Sequence, residues 1–171
     1  MEMTVFIRSV AVADAPALAS LLNEIIARGG TTAFQRPFTP QRLAESMLMG
    51  RSVICCFVAE ERDGGLGGFQ SLVQSEDLPN DIGDIATFSR VGQTQKGIGS
   101  QLFAATQAEA RRQGLTAISA TIRADNVGGL AFYSRLGFTD HSIHRAVPLL
   151  DGTAIDRISK RYALEHSRGI M

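Results

Sequence analysis

Tryptophan is missing from this 171-residue chain, and there are only two cysteines. They are Cys55 and Cys56, adjacent within the run Ser52-Val-Ile-Cys-Cys-Phe-Val-Ala59. Neighbouring strand residues point to opposite faces, so the two cannot readily bridge each other, and no third cysteine offers another partner. A disulfide framework is excluded, and the thiols read as small apolar residues of a buried strand. His141, His144 and His166 have no clustered Cys partners, so no metal site is expected. An excess of charge of either sign is also lacking, with 17 Lys+Arg against 17 Asp+Glu. Neither nucleic acid nor a membrane surface is therefore an expected partner. No apolar run reaches the roughly 18 residues of a membrane-spanning helix. Met1-Glu-Met-Thr4 has no basic segment of the secretory kind, so the expected location is cytoplasmic.

What the chain does have is a composition suited to a packed core, 44% hydrophobic and 20% charged, at a length that suggests one domain over residues 1–171. Thr4–Arg8 reads as a short strand. Asp14-Ala-Pro16 reads as a helix start with Asp14 as cap, followed by Leu18, Leu21, Leu22, Ile25 and Ile26 at helical spacing up to Gly29-Gly30. Thr39-Pro40 opens a second helix carrying Leu43, Met47 and Leu48 and ending near Gly50. Residues 53–60 and 67–74 read as a hairpin turned by Asp63-Gly64-Gly65. A strand over 82–89 precedes a helix over 97–113 with Ile98, Leu102, Phe103, Thr106 and Ala110 on one side. Then come a strand over 117–122, a short helix over 128–136, and a final strand pair, 139–147 and 155–162, joined by Asp151-Gly152. The order β-α-α-β-β-β-α-β-α-β-β describes a mixed α/β fold: a central, mostly antiparallel sheet of about seven strands flanked by helices.

The richest stretch is Val91 to Phe103, where Gly97-Ile98-Gly99 stands between a strand and a helix. The first N–H groups of such a helix are unpaired and lie at its positive end, which makes a seat for phosphate. It is not a nucleotide P-loop, because Ile98-Gly99 stands where Lys-Ser/Thr is needed. It is not a dinucleotide fingerprint either, because Leu102 takes the third glycine's place and Asp125 follows a second strand.

A second stretch runs from Ala124 through Asn126 to Phe132-Tyr133-Ser-Arg-Leu-Gly-Phe138. Lys96-Gly-Ile-Gly-Ser100 together with Asn126 and Phe132-Tyr133 resembles the GNAT superfamily of acyl-CoA-dependent N-acyltransferases. The two motifs and their connection span about residues 85–138, and the element order extends the likeness to nearly the whole chain. The family's first motif usually opens with Arg or Gln; here that position is Thr94, flanked by Gln93 and Gln95.

The resemblance implies acetyl-CoA as cosubstrate, no metal, and transfer of an acetyl group to a primary amine by direct attack in a ternary complex. It implies that main-chain amides of Thr94, Gln95, Lys96, Gly97, Ile98, Gly99 and Ser100 meet the CoA pyrophosphate. Main-chain groups of Ser89, Arg90 and Val91 would line the pantetheine arm, admitted by a splay between the strands 85–89 and 117–122. Asn126 would meet the arm or position it, with a helix cap as the plain structural alternative. Tyr133 is the candidate general acid for the departing thiolate, set against a core aromatic. Arg135 is a further candidate for the CoA phosphates, set against a solvated surface charge. Asp84 is the candidate base, effective mainly if burial raises its pKa. Glu76, Asp77, His141 and His144 are weaker ones. Freeing an alkylammonium at neutral pH costs about 4–5 kcal/mol and a peptide-like α-amine only about 1 kcal/mol, so the demand on the base depends on the acceptor.

In this family the acceptor is met by the loop between the first two helices and the loop joining the last two strands. Here these are 29–38, with Thr31, Thr32, Phe34 and Gln35 as lining candidates, and about 149–154. The first loop resembles small-molecule acetyltransferases of the phosphinothricin type. A small-molecule amine is the expected partner. A protein or peptide acceptor, a non-catalytic acyl-CoA-binding module, and a homodimer stay open.

Overall fold

The computed structural model describes residues 4–92 and 97–165. Seven strands form one sheet: β1 (Phe6–Ser9), β2 (Val53–Glu60), β3 (Leu66–Val73), β4 (Ile82–Ser89), β5 (Ala117–Arg123), β6 (Thr139–Pro148) and β7 (Ala154–Ala163). Their spatial order is β1-β2-β3-β4-β5-β7-β6. Every neighbouring pair is antiparallel except β4 and β5, which run parallel. This is the mixed, mostly antiparallel seven-strand sheet with flanking helices that the element order describes.

The helices are α1 (Ala15–Arg28), α2 (Pro40–Leu43), α3 (Ile98–Arg112) and α4 (Val127–Leu136). On one face of the sheet, Leu18, Leu21 and Leu22 of α1 and Leu43 of α2 pack with Phe69 of β3 and Phe88 of β4. On the other, Phe103 and Ala110 of α3 and Tyr133 of α4 pack with Leu72, Ile85, Ile118 and Ile122. The face of α3 read from spacing is the buried one, residue for residue. Cys56 lies in the first cluster and Cys55 packs against the second, so the adjacent thiols do face opposite ways. Burial pushes the Cys55 thiol up to about 12 and raises that of Cys56 too, which leaves neither ionised as a nucleophile.

Two local expectations are corrected. Asp14 precedes α1 but does not cap it. Its carboxylate takes two hydrogen bonds from the Arg8 guanidinium, at 2.8 and 2.9 Å, and one from the Ala11 N–H. The charged pair outcompetes a cap, because charge-assisted, two-pronged bonds are the stronger kind. The second helix begins as expected, with Thr39 accepting from the Arg42 N–H, but is α-helical for four residues only. It continues as a π-turn over Ala44–Leu48, closed by the Met49 N–H on the Ala44 carbonyl. Leu43, Met47 and Leu48 are buried all the same.

Candidate active site

The parallel pair at the centre of the sheet is short. β4 and β5 are in register only at Ile82↔Ala117, Gly83↔Ile118 and Asp84↔Ser119. Beyond Asp84, β4 remains paired with β3 out to Ser89↔Gly68, while β5 follows β7 out to Arg123↔Arg157. The two strands therefore part company and leave a gap at the middle of the sheet. The Arg90 N–H bonds to the Gly67 carbonyl. Counting back through the antiparallel alternation, Phe88 and Ala86 direct their main-chain groups to β3, and Ser89 and Thr87 direct theirs into the gap. This edge of donors and acceptors without a strand partner suits an extended, amide-containing chain.

The side chains flanking the gap follow the same alternation. Asp84 stands at the fork, on the face with Ala86 and Phe88 that carries α1 and α2; Thr87 points to the opposite face, under α4. Burial pushes the Asp84 carboxyl up to about 6, and the charge of Asp77 adds to the rise. Glu76, Asp77, His141 and His144 are exposed, and the His144 ring is held 3.1 Å from the Ser159 hydroxyl. Tyr133 is buried beside Phe132 and Phe138, with ring centroids 4.9 and 5.1 Å away. Its hydroxyl has one partner among the described residues, Thr87 Oγ1 at 2.9 Å. Burial pushes its pKa up to about 12; the Thr87 bond opposes the rise and the Asp84 charge adds to it. The phenol thus keeps its proton at neutral pH.

The helix after the glycine turn opens without a side-chain cap, unlike α2 and α4. Gly97 sits before it at φ +72°, a left-handed conformation suited to glycine, and a Cβ built there meets nothing within 4 Å. The amides of Ile98, Gly99 and Ser100 have no helical partner. Gly99 is required for a different reason: a Cβ there would stand 2.6 Å from the Phe132 ring, so the start of α3 touches the helix that carries Tyr133. Ile98 itself is a core residue, packed with Ala59 and Leu102. Thr94, Gln95 and Lys96 lie outside the described residues. Val91 lies in the turn after β4. The Arg90 guanidinium is turned toward the Leu66 carbonyl and Glu61. Arg135 is exposed on α4.

Asn126 caps α4, accepting from the Gly129 N–H at 2.9 Å, and at the same time donates to the Thr31 carbonyl at 2.9 Å. Both roles concern protein groups. The loop between α1 and α2 is tied down at four points. Asn23 holds Phe38 through both its N–H and its carbonyl, Asn126 holds Thr31, Arg123 holds Thr32, and Gln35 accepts from the Leu150 N–H. Gln35 and Leu150 join the two loops read from sequence as acceptor-facing. Phe34 reaches back to the sheet, 5.3 Å from Phe38 and 6.3 Å from Phe88. The loop thus roofs the Asp84 side of the gap, not the Tyr133 side. Sequence reading missed three contributors: Arg123, Thr87 and Gln70, whose amide donates to Thr87 Oγ1 at 2.9 Å. Only Gln70 carried a signal, as a large polar residue that, with Ser71, interrupts a mostly apolar strand.

The sequence model of the acetyltransferase (GNAT) family matches residues 22–138. The chain belongs to the GNAT family, and the protein is an acetyltransferase. An L-methionine sulfoximine/L-methionine sulfone acetyltransferase of Pseudomonas paraeruginosa is 30% identical over 142 residues, covering 80% of this chain and 81% of the relative. The protein of the same name from Pseudomonas aeruginosa matches to the same extent. Among solved structures, an N-acetyltransferase from Staphylococcus aureus superposes with a TM-score of 0.83 at 22% identity, over 95% of this chain and 99% of that one. A phosphinothricin acetyltransferase from Sinorhizobium meliloti, solved with acetyl-CoA, superposes with a TM-score of 0.82 at 17% identity, over 98% of this chain and 95% of that one. These two likenesses concern the fold. Among the described residues, no helix is long and apolar enough to cross a membrane.

Proposed function

We propose that the protein acetylates the amino group of a small amino acid analogue, methionine sulfoximine being the first candidate, with acetyl-CoA as the donor. The observation that carries this reading is the fork between β4 and β5, with Asp84 on one face and Tyr133 on the other. The pyrophosphate lies against the open N-terminus of α3 and the main chain of residues 94–100. The pantetheine arm continues into the gap along Thr87 and Ser89, which brings the thioester to the fork. The amine enters on the roofed face, beneath Thr31, Thr32, Phe34 and Gln35. Asp84, with its pKa close to neutrality, takes the ammonium proton, directly or through water. The amine then attacks the thioester carbonyl, the nitrogen–carbon bond forms, and the nitrogen releases its second proton to water; the oxyanion is met by a main-chain N–H from the free edge of β4. As the carbon–sulfur bond breaks, Tyr133 gives its proton to sulfur from the opposite face. The small-molecule reading rests on the named relatives and on the four ties that hold the roof close to the sheet.

The test is CoA thiol release in the presence of acetyl-CoA and L-methionine sulfoximine. Amine-dependent release is expected, with kcat/KM rising through an acid limb near pH 6, as Asp84 ionises. Asp84→Asn should remove that limb and most of the rate. An unchanged pH profile in the variant takes Asp84 out of the mechanism, and no release with any small amine defeats the acceptor class. The same substitution has a stability signature of opposite sense. A carboxyl whose pKa is raised on folding weakens the fold as pH climbs from its unfolded value to about 6. Asp84→Asn should therefore be more stable than the wild type above pH 6, by up to about 3 kcal/mol, and no more stable near pH 3.

A further inference from the structure

We propose that Gln70 and Thr87 are positioning residues for Tyr133: together they turn the phenolic hydrogen into the strand gap, where it is donated to the departing CoA sulfur. This rests on the reading of Tyr133 as general acid. Thr87 Oγ1 is bonded on two sides, to Gln70 Nε2 at 2.9 Å and to Tyr133 Oη at 2.9 Å. A hydroxyl has one hydrogen and two acceptor lone pairs. The Gln70 N–H occupies one lone pair. The Thr87 hydrogen then has one bonded acceptor among the described residues, the Tyr133 oxygen. The Thr87–Tyr133 bond can run in either direction; in the arrangement proposed, Thr87 donates to Tyr133, and the tyrosine's own hydrogen has no acceptor among the described residues. It is left for the ligand. The reverse arrangement, with Tyr133 donating to Thr87, would consume the hydrogen that the chemistry needs.

Gln70 gives the second reason. It is fully buried in β3, and its Oε1 has no partner among the described residues. A buried polar atom left unbonded is unfavourable, and an apolar side chain of this size would fill the space without one. Among the described residues, the one bond the amide makes is the donation to Thr87. The three groups span β3, β4 and α4, so the sheet itself fixes their spacing. During the step, the carbon–sulfur bond breaks and its electron pair passes to sulfur. The Tyr133 O–H breaks, S–H forms, and the phenolate left behind is met by the Thr87 O–H already aimed at it. Solvent returns a proton to Tyr133 before the next turnover.

Four proteins test this in the thiol-release assay: wild type, Thr87→Val, Tyr133→Phe and the double variant. Thr87→Val should lower kcat about tenfold, with the KM for acetyl-CoA within about twofold of the wild type. Thr87→Ser, which restores the hydroxyl, should recover at least half of kcat. In the Tyr133→Phe background, Thr87→Val should cost less than about twofold more, because the group it serves is gone. Gln70→Met should lower kcat in the same direction, and it carries the same cycle should Thr87→Val fail to fold. Wild-type kcat in Thr87→Val beside an impaired Tyr133→Phe overturns the relay alone. So does an equal effect of Thr87→Val in both backgrounds. Wild-type kcat in Tyr133→Phe overturns the acid role and the relay together.

Discussion

Replacing Tyr133 by Phe is expected to lower kcat about a hundredfold and leave the KM for acetyl-CoA nearly unchanged. The substitution keeps the ring and removes one oxygen. Phe fits the slot between Phe132 and Phe138, whose centroids lie 4.9 and 5.1 Å from the tyrosine ring, so the core is preserved. What is lost is a proton held by a group with a pKa near 12 beside a leaving thiolate whose conjugate acid has a pKa near ~8.5. That difference does not stop transfer: the proton moves as the sulfur gains charge, beside a buried hydroxyl where a bare thiolate is poorly solvated. The interaction exists only once the carbon–sulfur bond begins to break. Its loss therefore appears in kcat, and ground-state binding of the coenzyme is spared. Initial rates at saturating acetyl-CoA measure it. A kcat within about twofold of the wild type would make Tyr133 a packing residue, since removing a general acid costs far more.

The second large effect is expected at the mouth of α3. Gly97→Glu should weaken acetyl-CoA binding by more than about a hundredfold, or about 2.7 kcal/mol. Two causes add. Gly97 holds φ at +72°, where a side chain costs about 1–2 kcal/mol and tilts the turn out of shape. The new carboxylate then lies in front of the bare N–H groups that a pyrophosphate would use, and repels it. Open space around the Gly97 Cβ position means that the side chain enters the mouth without disturbing the core. Gly97→Ala separates the causes: it carries the backbone strain without the charge and should lose much less. Calorimetric titration with acetyl-CoA gives both numbers. Undiminished affinity in Gly97→Glu would move the phosphate seat elsewhere.

The parts of this arrangement that can be read from the sequence are those set by neighbours along the chain. The buried stripe of α3, from Ile98 to Ala110, follows from helical spacing alone. The opposed faces of Cys55 and Cys56 follow from strand alternation. Asp84 could be placed at a strand start by the same local reading, and the strand begins two residues before it. The Asp14 cap failed because its competitor, Arg8, belongs to the preceding strand and comes into reach only when the chain turns back. The ties that shape the acceptor side are longer still. Asn126 and Thr31 are 95 residues apart, and Gln35 and Leu150 are 115 apart. Spacing has no access to such pairs; only the order of strands in the sheet brings them together. The Gln70–Thr87–Tyr133 chain is of this kind, crossing from one hairpin strand to the next and then to a helix. The fork at Asp84↔Ser119 is likewise a matter of register, which a strand read by itself does not reveal.

The most direct measurement is a crystal structure of the protein with acetyl-CoA bound. The pantetheine arm is expected between β4 and β5, bonded to the main chain of Thr87 or Ser89, with the sulfur within about 4 Å of the Tyr133 hydroxyl and the pyrophosphate against the first amides of α3. Coenzyme bound outside the gap, or a gap closed by side chains while the coenzyme sits elsewhere, would contradict the assignment of the fork as the place where the acetyl group changes hands.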